Sequence, residues 1–282
     1  MSQVAIITDS TAYIPKDILA NLNIIVAPQV LIWGNETLRD GVDIQPEVFY
    51  NRLQKSTVMP TTSQVTIGSF KDMFSNLLDE GKQILALLVS TKLSGTIDSA
   101  VQARDMLPGA AIEIVDSNTT AMALGFQVLA VARAAESGAR LAECKALAEK
   151  ATEHVGVVFA VDTLEFLHRG GRIGGGTRFL GTVLNMKPIL EVTGGRVEWI
   201  ERVRTRSKSL NRVIEIIEER IGGRKPVRLA TLHANSPEDA HALLDMANNR
   251  LNAVESIISE VSPVVGTHAG PGTVGLAFMA GM

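Results

Sequence analysis

Residues 84–96 read ILALLVSTKLSGT. The six apolar residues from Ile84 to Val89 fit a strand buried on both faces, as the strands of parallel sheets are. Ser90 to Gly95, rich in hydroxyl and turn residues, end the run, and a helical pattern occupies Gly95 to Met106. The same strand–loop–helix order extends outward. Apolar runs lie at Val4 to Ile7, Ile24 to Ile32 and Ile112 to Val115; the first closes on Thr8-Asp9-Ser10 and the last on Asp116-Ser117. Helical patterns cover Pro46 to Lys55, Thr66 to Glu80, Thr120 to Ser137 and Leu141 to His154. This alternation predicts an α/β domain with a largely parallel sheet and flanking helices. Ligands of such sheets sit beyond the carboxyl ends of the strands. The Asp-Ser pairs and Ser90 to Gly95 fall there.

From Gly156 the pattern changes. Val157 to Val161 reads as a strand, and Arg169 to Gly176 as a loop rich in glycine and arginine. Pro188 to Val192 and Arg196 to Arg202 flank Thr193-Gly194-Gly195, a hairpin signal. Arg206 to Ile221 carries Leu210, Val213, Ile214, Ile217 and Ile221 on one helical stripe. A strand at Val227 to Leu232, a helix at Pro237 to Asn249 and a strand at Val254 to Val261 follow. Together they predict a second α/β domain with a mixed sheet. The boundary falls near His154 to Gly156, which gives domains 1–155 and 156–282. Val261 to Met282 has no Asp, Glu, Lys or Arg, but it holds Pro263, Pro271, His268 and five glycines. A membrane-spanning helix tolerates that poorly, so strands and loops are expected.

The composition agrees with a globular chain. Of 282 residues, 46% are hydrophobic and only 4% aromatic, so a sizeable and mostly aliphatic core is expected. The net charge of −3 argues against a dedicated nucleic-acid binder. A single cysteine, Cys144, excludes a disulfide framework and a cysteine-rich metal site. No His or carboxylate cluster has metal-ligand spacing, so no metal is expected. The opening MSQVAIITDS lacks a basic stretch followed by a long apolar run. No secretory signal is read, and a cytoplasmic protein is the expectation.

Four segments could carry chemistry. Thr61-Thr62-Ser63-Gln64 follows Pro60; it reads either as the approach to a helix capped by Thr66 or a neighbour, or as hydroxyl donors aimed at an anion. In Ser90 to Thr96, Ser94 is a natural helix cap. The same helix start would bind an anion through free N–H groups, with Gly95 allowing close approach. No Gly-Lys-Ser/Thr follows, so this is not a Walker A loop. Arg169-Gly170-Gly171-Arg172 is either a solvated turn or a guanidinium fork for carboxylate or phosphate. His268, in the small-residue run Gly266 to Gly272, could reach a ligand from a loop at a strand end.

The series Thr8-Asp9-Ser10, Thr62-Ser63-Gln64, Leu93 to Thr96, Asp116-Ser117, Leu167 to Ile173, Lys187 to Leu190 and Gly266 to Gly272 resembles the DegV family. These are the fatty-acid-binding subunits of bacterial fatty acid kinase. The resemblance runs the whole length, with the motifs in order. It implies two α/β domains with a long-chain fatty acid, such as palmitate, between them. It implies that Thr62 and Ser94 hold the carboxylate with His268 nearby. It also implies that an arginine after the hairpin, Arg204 or its neighbours Arg202 and Arg206, docks the dihydroxyacetone-kinase-like partner. Two departures stand out: Val65 where the family commonly has proline, and the triple glycine Gly174-Gly175-Gly176.

The physical chemistry suits that reading. Roughly 0.8 kcal/mol per buried methylene gives a long acyl chain on the order of 10 kcal/mol gross, before ordering costs. A buried carboxylate must be hydrogen-bonded, and Thr61, Thr62, Ser63, Ser94, the Gly95 N–H and His268 supply candidate donors. Arg172 is placed to meet the added charge if a kinase turns the carboxylate into an acyl phosphate. The chain shows no Mg²⁺-binding carboxylate cluster and no phosphate loop, which suits a non-catalytic lipid-binding subunit without a cofactor. The competing reading is a small esterase or acyltransferase with Ser94 as nucleophile, His268 as base, and Asp9 or Asp116 as the orienting group. Ser94 does not sit in a Gly-x-Ser-x-Gly elbow.

Overall fold

The structure is a computed structural model that describes residues 3–173 and 186–282. The first half of the chain runs β1 (Val4–Asp9), a 3-10 turn (Ser10–Ala12), α1 (Lys16–Asn21), β2 (Ile25–Ala27), β3 (Val30–Trp33), β4 (Glu36–Arg39), α2 (Pro46–Leu53), β5 (Thr61–Ser63), α3 (Ile67–Asp79), β6 (Gln83–Leu88), α4 (Thr96–Asp105), β7 (Ile112–Asp116), α5 (Ala121–Glu136) and α6 (Leu141–Ala151). The second half runs β8 (Val155–Ala160), α7 (Glu165–Arg169), β9 (Lys187–Thr193), β10 (Arg196–Val203), α8 (Arg206–Ile221), β11 (Val227–His233), α9 (Pro237–Leu251), β12 (Glu255–Glu260), α10 (Pro263–Ala269) and β13 (Val274–Ala280).

β2, β1, β6 and β7 pair in that order, all parallel. β6 holds Ile84 to Leu88 of the ILALLV run, and five of its six residues are buried. The second half forms a mixed sheet in the order β10-β9-β8-β13-β11-β12, parallel only between β11 and β12. The expected α/β class and both sheet types are therefore present. β9 and β10 form the hairpin, and Arg206–Ile221 is a helix over the residues its periodicity marked.

α5 joins the two sheets. Apolar residues lie all around it, and a helix of that kind belongs in an interior. It packs on β1 and β6 of one sheet and on β8, β11 and β13 of the other. Phe126 of α5 shares one core with Leu85 and Leu87 of β6 and Val157 and Phe159 of β8. The outer faces close separately. Phe70 and Phe74 of α3 cover Ile84, Ala86 and Leu88, while α8 and α9 cover the mixed sheet with Val213, Ile217 and Leu243.

Two segments depart from their sequence reading. The apolar run Ile24 to Ile32 is two strands in different sheets: β2 joins the parallel sheet, and β3 pairs antiparallel with β4 and β5. Pro28 has no N–H for a ladder, and the Gln29 N–H is diverted to the Ser10 Oγ at 3.1 Å. Val261 to Met282 contains the helix α10 as well as β13. Pro263 stands in its first turn, where a missing N–H costs nothing. His268 therefore sits on a short helix and not on a loop. Among the described residues, no helix is long and apolar enough to cross a membrane.

Candidate functional site

β1 and β6 run parallel and end together. The Asp9 carboxylate ties the ends, accepting from the Val89 N–H at 2.7 Å and the Thr11 N–H at 3.0 Å. Asp9 is fully buried, and burial raises its pKa. The loop after β6 then folds on itself, with the Leu93 and Ser94 N–H groups donating to the Ser90 carbonyl at 2.9 and 3.1 Å. Gly95, not Ser94, occupies the cap position of α4. Ser94 makes no cap bond because the helix starts one residue too late for it; its Oγ lies 2.8 Å from the Thr96 Oγ1. Thr66 caps α3 by accepting from the Ser69 N–H at 3.1 Å.

The hydroxyl run of residues 61–63 is the strand β5, paired with β3 so that Thr62 lies opposite Leu31. Strand alternation sends Thr62 to one face and Thr61 and Ser63 to the other. The Thr62 Oγ1 lies 2.8 Å from the His268 Nε2 on α10. The His268 Nδ1 is buried with no hydrogen-bond partner among the described residues. Burial, aided by the nearby Arg172 charge, lowers the His268 pKa to about 4. The ring is thus neutral at physiological pH. Arg172 donates from Nη1 to the Gly170 carbonyl at 2.6 Å and from Nε to the Leu93 carbonyl at 3.3 Å.

These groups border one cavity of about 940 Å³, a volume that includes its open mouth. Thr62, Ser63, Ser94, Gly95, Arg172 and His268 all line it. The rest of the wall is largely aliphatic and comes from both halves of the chain, including Val89, Leu93, Val157, Phe159, Val197 and Leu232. Thr61 is exposed and not part of the wall, whereas Ser63, on the same face of β5, reaches the cavity edge. Gly174-Gly175-Gly176 lies outside the described residues.

Arg202, Arg204 and Arg206 do not line the cavity, and Arg202 lies within β10 of the hairpin and not after it. Arg202 and Arg204 are exposed. Arg206 opens α8 and is held by Asp239, with its Nε 2.8 Å from Oδ2, and by Asp162 at 3.8 Å. No Ser94–His268–aspartate triad is assembled among the described residues. Ser94 bonds Thr96, His268 bonds Thr62, Asp9 holds backbone N–H groups, and Asp116 accepts from the Thr91 hydroxyl at 2.7 Å. The sequence alone does not single out Gln29, and it marks Thr96 only as the end of the 90–96 segment. Gln29 lines the cavity, and its Nε2 donates to the Thr96 Oγ1 at 2.8 Å. The available signal was a glutamine directly after Pro28, inside an otherwise apolar run.

Comparison with known proteins agrees over the whole length. The profile of the "Uncharacterised protein, DegV family" group matches residues 3–281. A DegV domain-containing protein of Streptomyces coelicolor is 39% identical over 275 residues, which are 97% of each chain. A solved structure concerned with fatty acid binding of a DegV family protein from Thermus thermophilus superposes with a TM-score of 0.93 at 33% identity and covers 99% of both chains. DegV from Bacillus subtilis, described as a fatty acid binding protein, superposes with a TM-score of 0.89 at 31% identity, covering 99% of this chain and 100% of that one.

Proposed function

The chain belongs to the DegV family, and from that premise we propose that it binds a long-chain fatty acid and presents its carboxylate to a partner fatty acid kinase. The observation that carries this reading is the shared cavity. Two alcohols from separate elements, Thr62 on β5 and Ser94 before α4, line it together with an apolar wall. In this reading the carboxylate takes hydrogen bonds from both hydroxyls and from the Gly95 N–H, and the acyl chain lies along the aliphatic wall. The chain is read as two units, 1–155 and 156–282, with the ligand between them.

Hydroxyl donors hold an anion without neutralising it in an ion pair, so the carboxylate stays available to a phosphoryl donor. His268, neutral through burial, orients the Thr62 hydroxyl and adds no charge of its own. Arg172 stands beside the Ser94 loop through its bond to the Leu93 carbonyl and meets the charge of an acyl phosphate. The phosphoryl-transfer groups then belong to the kinase, and this chain is a non-catalytic subunit of the cytoplasm. Exposed Arg204, with Arg202 and Arg206 on either side, is the candidate docking point.

Mass spectrometry of an organic extract of the purified protein tests the reading. Free long-chain fatty acid is expected at close to one per chain. A lipid-free protein that also fails to take up palmitate would overturn it, as would covalent labelling of Ser94 by an activated serine probe with esterase turnover. Arg172→Ala is expected to retain fatty acid and lose acyl-phosphate formation with the kinase.

A further inference from the structure

Ser94 is the outer end of a hydrogen-bond chain that begins in the core. The Gln29 Nε2 donates to the Thr96 Oγ1 at 2.8 Å, and the Thr96 Oγ1 lies 2.8 Å from the Ser94 Oγ. Gln29 and Thr96 are 2% and 0% exposed, so water does not compete for these bonds. The Gln29 side chain also helps hold the ionised form of Asp9.

The direction of the chain follows from counting protons. A threonine hydroxyl has one proton and two lone pairs. One lone pair of Thr96 is taken by the Gln29 N–H. Among the described residues, the only other partner of the Thr96 Oγ1 is Ser94. The polarity that leaves no buried Thr96 proton without an acceptor sends it to the Ser94 Oγ. Ser94 accepts it, and its own proton is left to point into the cavity. With the opposite polarity, Ser94 would donate inward and face the ligand with lone pairs, which repel a carboxylate.

We propose that Gln29 is a positioning residue that makes this site select an ionised carboxylate head group, by fixing the Thr96–Ser94 pair so that Ser94 presents a proton to the ligand. This rests on the reading of Ser94 as a head-group ligand. The role is one of selectivity: an alcohol head group, which can itself donate, does not depend on which way the pair points.

The test uses the delipidated full-length protein. Affinities for hexadecanoate and 1-hexadecanol are read by displacement of a fluorescent fatty acid. Gln29→Met removes the donor while keeping the length and neutrality of the side chain. The acid-to-alcohol affinity ratio is expected to fall at least fivefold. Thr96→Val should do the same, and Gln29→Met should add nothing further in the Thr96→Val background, because both cut one chain. An unchanged ratio in Gln29→Met, equal losses for acid and alcohol, or independent multiplying effects of the two substitutions would each overturn the proposal. If Gln29→Met does not fold, Thr96→Ser against Thr96→Val carries the same comparison. Thr96→Ser should keep the ratio and Thr96→Val lose it; equal behaviour of the two refutes the relay. Ser94→Ala separates the two levels. If it leaves hexadecanoate affinity unchanged, the head-group reading fails and the relay fails with it. If it weakens the acid while the Gln29 variants do not, the relay alone fails.

Discussion

Gly170→Ala is expected to disable the head-group site from a position that touches no ligand in this account. The φ of Gly170 is −76°, open to any residue, so the backbone does not require glycine there. Space does. A Cβ at this position would run into the His268 Nδ1 and would stand 2.8 Å from Cε1 and 3.1 Å from Cγ of the same ring. Carbon atoms pack at about 3.5–4.0 Å, so the ring must retreat by about 1 Å. Its bond to Thr62 is 2.8 Å long, and a shift of that size takes it beyond hydrogen-bonding range.

Two costs follow. Overpacking of this kind typically destabilises by about 1–3 kcal/mol, to be read by urea denaturation. The Thr62 hydroxyl loses its orienting partner, and a weakened hydrogen bond to a charged ligand amounts to about 1.5 kcal/mol, or roughly tenfold in palmitate affinity. A third readout is more specific. The His268 ring sits in a desolvated place that holds its pKa to about 4. Displacement toward water should raise it toward the ordinary value near 6.5, visible in an NMR titration of the imidazole nitrogens. A variant with unchanged palmitate affinity and a ring still titrating near 4 would refute the reasoning, because the added carbon would then have been absorbed elsewhere.

The wild-type His268 also predicts a pH effect of definite sign. Its folded pKa lies below the unfolded value, so its contribution is complete at neutral pH and is lost as pH falls from about 6.5 to 4. The difference between pH 7 and pH 4 is about 3 kcal/mol. Urea denaturation should therefore show wild type losing about that much more than His268→Asn over this range; equal losses would contradict it. The comparison must be with the variant, because Asp40 acts in the opposite sense. Burial raises its pKa to about 6, so the folded state takes up this proton first and gains stability as pH falls from about 6 toward 4. Asp40→Asn should remove that gain, and an unchanged pH profile would count against it. Arg133 of α5 makes two bonds to Glu255 of β12, at 2.5 and 2.9 Å, with side chains 42% and 24% exposed. Exposed pairs contribute about 1 kcal/mol or less, so Arg133→Gln should lower the melting temperature by only a few degrees, and less at high salt. A loss that salt does not change would show a packing role.

The parts of the fold legible in the sequence are those where one period dominates. The stripe from Leu210 to Ile221 and the unbroken run Ile84 to Val89 each leave one reading of strand or helix. Ile24 to Ile32 does not, because the switch from one sheet to another at Pro28-Gln29 is decided by Ser10 and by the partner strands β1 and β5, which are distant in sequence. α10 is short, glycine-bearing and mostly buried, so it shows no polar face to mark a helical period. The site was legible as separate hydroxyl, arginine and histidine segments, and family resemblance joined them. Which hydroxyl of Thr61-Thr62-Ser63 meets His268 depends on strand register, and the role of Ser94 depends on a helix that begins one residue later than its cap pattern suggests. Gln29 was hidden for a physical reason as well: its partners are 67 residues away at Thr96 and, through Thr96, at Ser94.

The carboxyl resonance of palmitate labelled with ¹³C at its first carbon, bound to the delipidated protein, reports on the head-group site directly. One narrow bound signal is expected. Thr62→Val and Ser94→Ala should each shift it, while Arg204→Ala should leave it in place. A signal that ignores both hydroxyl substitutions, or that stays at the position of free palmitate, would contradict the account.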